Sequence, residues 1–311
     1  MIDLELCEAT PEDRAAIFAK VHEFWGGPFT VEAYVERCLK APHMRRATWY
    51  LGRAEGEIVT SLGAHPTMFC LQGDLVEGFS IASVHTRPQD RGRGYAPRLI
   101  EYVERVERER GARLSVLYSD IDPAYYARRG YRRAPSFDGF TAATTVDRDS
   151  SQGCRLEPFD AAGSHEERSR LYDATHRHRP FYVARLGDYA LMLPHKRPKD
   201  EYFWLQTGAG ETVGYARFEP VAERVKITDF ALLPEHESWR ETFYRLLIGG
   251  AAERGYLHVG GWLPDLPAAR ACFEFGPRKK EITMAKVLDP SLALSDEALA
   301  AAEYFNEIDH V

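Results

Sequence analysis

Gln89-Asp90-Arg91-Gly92-Arg93-Gly94-Tyr95-Ala96 is the stretch on which the reading of this chain turns. It follows a strand-like run at 79–86 and opens an amphipathic helix with apolar residues at Leu99, Ile100, Val103 and Val106. A glycine-rich turn between a strand and a helix N-terminus is an anion site: backbone N–H groups converge there, and the helix dipole favours negative charge. Gly92 and Gly94 let the main chain approach an oxygen-rich ligand with no Cβ in the way. Pro97 falls in the first helical turn, where a missing N–H costs little. Arg91 and Arg93 add charge, so the expected ligand is a phosphate or pyrophosphate. The dinucleotide fingerprint is excluded, because it needs a third glycine and an acidic residue about 20 residues on. A P-loop is excluded because no Gly-Lys-Ser/Thr follows.

Downstream, the helix ends at Gly111 and a second strand is expected at 114–118. Asp122-Pro123 reads as an N-cap with proline at N1, opening a short helix that closes at Gly130. Gln89-x-x-Gly92-x-Gly94 preceded by Pro88, and Tyr126-x-x-x-Gly130-Tyr131 after it, resemble the GNAT acyl-CoA N-acyltransferase superfamily. The order strand, glycine loop, helix, strand, short helix fits as well. Two branches look closest: the mycobacterial enhanced-intracellular-survival acetyltransferases and the fungal lysine N6-acetyltransferases. The latter are matched by Ala82-Ser83-Val84-His85-Thr86 and Leu117-Tyr118-Ser119-Asp120-Ile121. The resemblance implies acetyl-CoA as co-substrate. The mycobacterial branch also has a third, sterol-carrier-like domain and uses its terminal carboxylate; this chain ends near Val311, which is therefore not assigned that part.

With 311 residues the chain is expected to hold two domains. A hydrophobic share of 44% and a charged share of 28% are ordinary for a globular protein. No apolar run approaches the ~20 residues needed to span a bilayer, and the N-terminus lacks the charge pattern of a signal peptide. The 5 cysteines are scattered and odd in number, which argues against a disulfide framework and against zinc. The expected compartment is the cytoplasm, with no membrane partner. A net charge of −7 disfavours nucleic acid as a partner.

The expected fold class is α/β (α+β): tandem GNAT-like folds with mixed, mostly antiparallel sheets flanked by helices. Residues 1–148 are the catalytic domain carrying the acetyl-CoA loop. Within it, Thr10 and Thr30 cap two helices, and 48–86 supplies three antiparallel strands with turns near 54–57 and 72–74. Residues 149–163 are polar and turn-rich and read as a linker. Residues 164–290 read as a degenerate copy: laying Pro88 on Pro234 brings Gly130 onto Gly276 with the same element order. Gly92 then falls on Ser238, Gly94 on Arg240 and Tyr126 on Cys272, so the copy should bind no acyl-CoA. The stretch 166–189 reads as one helix with a solvated basic middle containing His176 and His178. Residues 291–311 form a helical tail opened by Ser295.

The resemblance assigns chemistry residue by residue. An amine attacks the thioester directly in a ternary complex. Cofactor contacts come from Val84, Thr86, Gln89, Arg91, Gly92, Arg93, Gly94, Tyr95 and Ala96, the first two supplying N–H donors to the developing oxyanion. Tyr126 matches the superfamily tyrosine that protonates the leaving thiolate. The base is not readable: Asp120 is the first choice with a water chain as its equal alternative, His85 in its strand reads first as a core residue and only then as a base, and Asp122 reads as an N-cap. Phe24, Trp25 and Phe29 are candidates to line the acceptor site. The leading function is an acetyl-CoA-dependent N-acetyltransferase acting on a lysine-like primary amine, without metal. An aminoglycoside or protein-lysine acetyltransferase, or an idle acyl-CoA-binding module, are the alternatives.

Overall fold

A computed structural model describes residues 4–145, 151, 153–196 and 199–311. The first half runs β1 (Glu5–Glu8), α1 (Pro11–Trp25), α2 (Val31–Lys40), α3 (Pro42–Arg46), β2 (Thr48–Ala54), β3 (Glu57–Leu71), β4 (Asp74–Thr86), α4 (Tyr95–Glu109), β5 (Leu114–Ser119), α5 (Ala124–Ala127), β6 (Arg132–Arg133) and β7 (Phe137–Ala142). The second runs β8 (Arg155–Phe159), α6 (His165–His176), β9 (Phe181–Val183), α7 (Gly187–Met192), β10 (Glu201–Gln206), β11 (Thr212–Val221), β12 (Arg224–Leu232), α8 (Arg240–Glu253), β13 (His258–Trp262), α9 (Pro267–Cys272), β14 (Glu274–Pro277), β15 (Ile282–Val287) and α10 (Asp296–Ala300).

Local chemistry sets the boundaries. Thr10 and Asp13 close a reciprocal capping box at the start of α1, with Pro11 at N1. Thr30 Oγ1 accepts from the Ala33 N–H at 3.3 Å to open α2. Asp122 Oδ1 accepts from the Ala124 N–H at 2.9 Å ahead of α5. Gly130 ends that turn with φ +87°, a conformation that favours glycine.

The strands form two sheets with one plan. The first is ordered β1-β2-β3-β4-β5-β15-β6, with β9 also on β3; the second, read from its other edge, is β8-β10-β11-β12-β13-β7-β14. In each, the fourth and fifth strands are parallel and their neighbours antiparallel. Position by position the two orders agree, apart from one reciprocal exchange. Strand β15, late in the chain, sits between β5 and β6, pairing Ile282 with Ser119 and Val287 with Leu114. Strand β7, from the first half, takes the equivalent place between β13 and β14. The sheets therefore do not divide at one point along the chain, and no single linker separates them.

The cores follow the exchange. Ile282 and Met284 of β15 pack with Tyr50, Leu62, Phe79, Leu99, Ile100 and Val103 of the first half. A separate cluster under the other sheet joins Phe203, Val213, Phe218, Phe243, Leu247 and Val259. The tail segment covers the free face of the first sheet, where Leu299 and Phe305 meet Phe69, Val116 and Phe181.

Two expectations need correction. Residues 155–159, read as linker, form β8 at a sheet edge and pair with β10. The stretch 166–189 is not one helix. Helix α6 ends at His176, β9 joins β3, and α7 follows. Nor is His176 solvated: it is buried, stacked on Tyr172 with ring centroids 4.1 Å apart, and its Nδ1 lies 2.8 Å from the Tyr172 carbonyl. Burial lowers its pKa and keeps it neutral. The break was not legible locally because Phe181, Tyr182 and Val183 form strand only by pairing with β3, a long-range contact.

Candidate active site

Strands β4 and β5 pair in parallel from Gly78–Leu114 to Ile81–Leu117 and then diverge. On its other side β4 carries a bulge: between the pairs Ala82–Gly63 and His85–Ser61, two residues of β4 oppose Leu62 alone. Ser83 takes the left-handed conformation there, φ 51°, which costs about 1–2 kcal/mol for a residue with a Cβ. Such strain persists where surrounding structure enforces it, commonly at functional sites. The bend turns 83–86 away from β5 and opens a cavity of about 1080 Å³.

The glycine loop forms one wall. Gly92 and Gly94 have φ +81° and +76°, and a Cβ at either would meet nothing within 4 Å. The loop thus leaves room on its cavity side rather than packing on the protein. Gly94 is the N-cap of α4, and no side chain caps it. The positive end of α4 therefore lies open to an anion. Asp90, buried, braces the loop by accepting from Arg87 Nε at 2.6 Å and pairing with Arg93 at 3.5 Å. Val84, Thr86, Arg91, Gly92, Gly94, Tyr95 and Ala96 all line the cavity, but Gln89 and Arg93 do not. Gln89 is exposed, and Arg93 is turned to Asp90.

Tyr126, Asp120 and His85 line the same cavity. Tyr126 is 7% exposed, stands edge-on to Tyr125, and lies in the core beneath α4. Burial raises its pKa, with smaller contributions from Tyr125 and Asp120, so it is a protonated donor at neutral pH. Asp120 is exposed at the end of β5. His85 is 6% exposed, its ring 5.5 Å from Phe24, and its Nε2 is buried with no hydrogen-bond partner among the described residues. Desolvation, then Arg91, lowers its pKa from 6.5, against a smaller opposing effect of Glu23. A neutral imidazole with an unpartnered ring nitrogen, on a residue that lines the cavity, can accept a proton.

The opposite wall comes from the first helices. Phe24, Trp25 and Phe29 line it while remaining 48%, 44% and 41% exposed. Tyr34 and Arg37 of α2 and His43 and Met44 around α3 continue it. Lys196, His310 and Val311 complete the lining. Sequence reasoning did not select these three, since nothing local marks residues so far along the chain as neighbours of β4.

At the matching position of the second sheet, Arg240 is buried. It forms a two-pronged ion pair with Glu237 at 2.5 and 2.9 Å and packs 4.9 Å from the Phe230 ring. A guanidinium thus fills the start of α8, where α4 begins at an open glycine. Among the described residues no group of three or more His, Cys, Asp or Glu could hold a metal, and no helix is long and apolar enough to cross a membrane.

Residues 8–134 match the acetyltransferase (GNAT) domain family, whose members are N-acyltransferases. Enzymes of this class move an acyl group from acyl-CoA to an acceptor. No curated protein matches the chain in sequence. Among solved structures, a GCN5-related N-acetyltransferase from Anabaena variabilis ATCC 29413 is 17% identical, covering 92% of this chain and 73% of that one at TM-score 0.69. A tandem GNAT protein from the clavulanic acid biosynthesis pathway is 15% identical, covering 93% and 100% at TM-score 0.59. Eis1 from Mycobacterium abscessus is 14% identical, covering 92% and 74% at TM-score 0.58. At these identities the likeness is one of fold, and it extends over both halves.

Proposed function

We propose that the chain transfers an acetyl group from acetyl-CoA to the primary amine of a small, lysine-like molecule, by direct attack in a ternary complex. The observation that carries this reading is one cavity bounded by the uncapped start of α4, the bulged end of β4 and Tyr126. The loop from Arg91 to Ala96 holds the pyrophosphate. Backbone N–H groups near Val84 and Thr86 meet the oxyanion, where aimed dipoles are worth most. As the C–N bond forms and the C–S bond breaks, Tyr126 gives its proton to the thiolate. The amine proton passes to His85 or to Asp120. His85 is the better-placed base, because it is neutral at pH 7 and its buried ring nitrogen has no other partner among the described residues. Phe24, Trp25 and Phe29 wall the acceptor.

Thiol release from acetyl-CoA, measured with a panel comprising lysine, lysine peptides, aminoglycosides and simple diamines, tests the reading. Turnover with a small amine supports it. Release with no amine in the panel, or only with peptides, overturns it. In the same assay Tyr126→Phe should keep coenzyme affinity and lower kcat by up to about 10²–10⁴-fold, the range for general acid–base help. Full activity would remove Tyr126 from the mechanism.

The base has its own signature. Because the pKa of His85 is lowered, kcat/KM should hold down to pH 6.5 and fall only below it, as the imidazole takes up a proton. His85→Gln should abolish that acid limb. An acid limb retained in His85→Gln assigns the proton to Asp120 or to water instead.

A further inference from the structure

Arg185 lies just after β9, is not among the residues lining the cavity, and none of the chemistry above uses it. It is 6% exposed, and all three of its guanidinium nitrogens are engaged. Nε donates to Asp309 Oδ1 at 3.1 Å, and Nη2 to Asp309 Oδ2 at 2.8 Å and Asp229 Oδ1 at 3.0 Å. Nη1 donates to Asp229 Oδ2 at 2.8 Å and to the Tyr215 hydroxyl at 3.1 Å. Tyr189 supplies a further donor to Asp309 at 2.9 Å. Asp229 belongs to β12 of the second sheet, whereas β9 sits on the first. Arg185 is thus a fork joining both sheets to Asp309.

Asp309 is the residue before His310, which enters the cavity with Val311. The fork is reinforced along the segment. Lys196 Nζ donates to the carbonyls of Ile308 and His310, Asn306 Oδ1 accepts from the Phe230 N–H at 3.1 Å, and Lys226 pairs with Glu307. The His310 ring then stands edge-on to Tyr118 at 5.0 Å. A buried guanidinium with two carboxylates is weak evidence for stability, since apolar replacements are often as stable. Its geometric strength is registry: five donors in a planar fork allow one arrangement of the two acids.

We propose that Arg185 is a positioning residue: through Asp309 and Asp229 it holds the segment 306–311 in register, so that the second half of the chain sets the shape of the acceptor end of the cavity. The proposal rests on the amine-acetyltransferase reading only for the identity of that acceptor. It predicts a split between the two substrates. Coenzyme contacts lie on the α4 side and are untouched, whereas the acceptor wall moves.

Arg185→Ala strands two buried acids and risks the fold, so the informative variant replaces the whole group: Arg185→Met with Asp229→Leu and Asp309→Leu. Hydrogen exchange, acetyl-CoA titration and amine kinetics are measured on the full-length protein. The amides of residues 309 and 310, bonded to the Asn306 and Glu307 carbonyls, should lose protection while those of β4 and β5 keep it. Acetyl-CoA affinity should stay within about twofold. The best amine from the panel should show a higher KM and a kcat/KM about 10–100-fold lower, as displaced acceptor walls produce. Tyr189→Phe should give a smaller shift of the same kind, and Arg185→Lys should not restore the wild-type KM, since an ammonium cannot reproduce the fork. Unchanged protection at positions 309 and 310 in the triple variant overturns the proposal. So does lost protection with an unchanged amine KM, or a parallel loss of coenzyme affinity. If the unaltered chain turns over no amine, the functional reading fails. Arg185 is then judged on exchange and coenzyme affinity alone, lost protection with unchanged affinity supporting it and anything else overturning it.

Discussion

Ending the chain after residue 135 should yield an insoluble fragment with no acetyl-CoA binding, although every residue of the glycine loop is still present. The cut removes β15, leaving the edge of β5 unpaired and β6 without a neighbour. It also strips Ile282 and Met284 from the core beneath α4, and Phe181, Leu299 and Phe305 from the other face of the sheet. Losing even one such core side chain costs about 2–5 kcal/mol, against a total stability of about 5–15 kcal/mol for a domain. The exposed edge invites pairing with another chain. A second, rejoined chain separates strand loss from mere shortening: residues 1–135 followed directly by 281–289. Because β15 is antiparallel to β6, a hairpin can supply the missing strand in sequence, and solubility should rise markedly. Soluble fraction, size-exclusion elution and titration with acetyl-CoA measure both. A soluble, monomeric 1–135 that binds acetyl-CoA would show that the exchanged strand is dispensable.

Gly94→Glu should abolish detectable acetyl-CoA binding with little change in melting temperature. The open space around Gly94 means that a Cβ added there meets nothing within 4 Å. The left-handed backbone there costs a residue with a Cβ about 1–2 kcal/mol, so folding is affected only modestly. The carboxylate, however, stands at the start of α4 where the pyrophosphate is proposed to bind. Two like charges about 4 Å apart repel by about 4 kcal/mol at a surface-like dielectric, and each 1.4 kcal/mol is about tenfold in affinity. A loss of about 10²–10³-fold is therefore expected, more if several phosphate oxygens approach. The unaltered chain should bind one coenzyme per chain, because the Arg240–Glu237 ion pair fills the corresponding place at the start of α8. Unchanged affinity in Gly94→Glu, or a stoichiometry of two, would contradict both assignments.

The local devices were legible in residue order. Caps at Thr10, Thr30 and Ser295, the turns of the β2–β4 meander, the glycine loop and the short helix closed by Gly130 all depend on neighbours a few residues away. Their side-chain chemistry and spacing therefore specify them. The internal duplication was legible for the same reason: element order is a property of the chain, and the two sheets repeat it. Residue order did not reveal β6, β7, β14 and β15, nor β8 and β9, two edge strands of 5 and 3 residues. Short edge strands carry too little periodicity to stand out, and pairing with β10 and β3 alone makes them strands.

By itself, then, the sequence pointed to the GNAT domain that matches residues 8–134, to most of the 84–96 residues that line one cavity wall, and to a candidate acid and candidate bases, because these lie within one strand–loop–helix–strand unit. Tertiary structure decided the rest. It decided that β7 and β15 change places, since both neighbours of each strand are distant in sequence and hydrogen bonding between strands is blind to that distance. It brought Lys196, His310 and Val311 to the acceptor end through buried contacts spanning both sheets. It also left His85 buried with a ring nitrogen that no described residue engages, where residue order showed only a histidine in a strand. Long-range contacts place residues by packing and charge pairing, which no window of neighbouring residues contains.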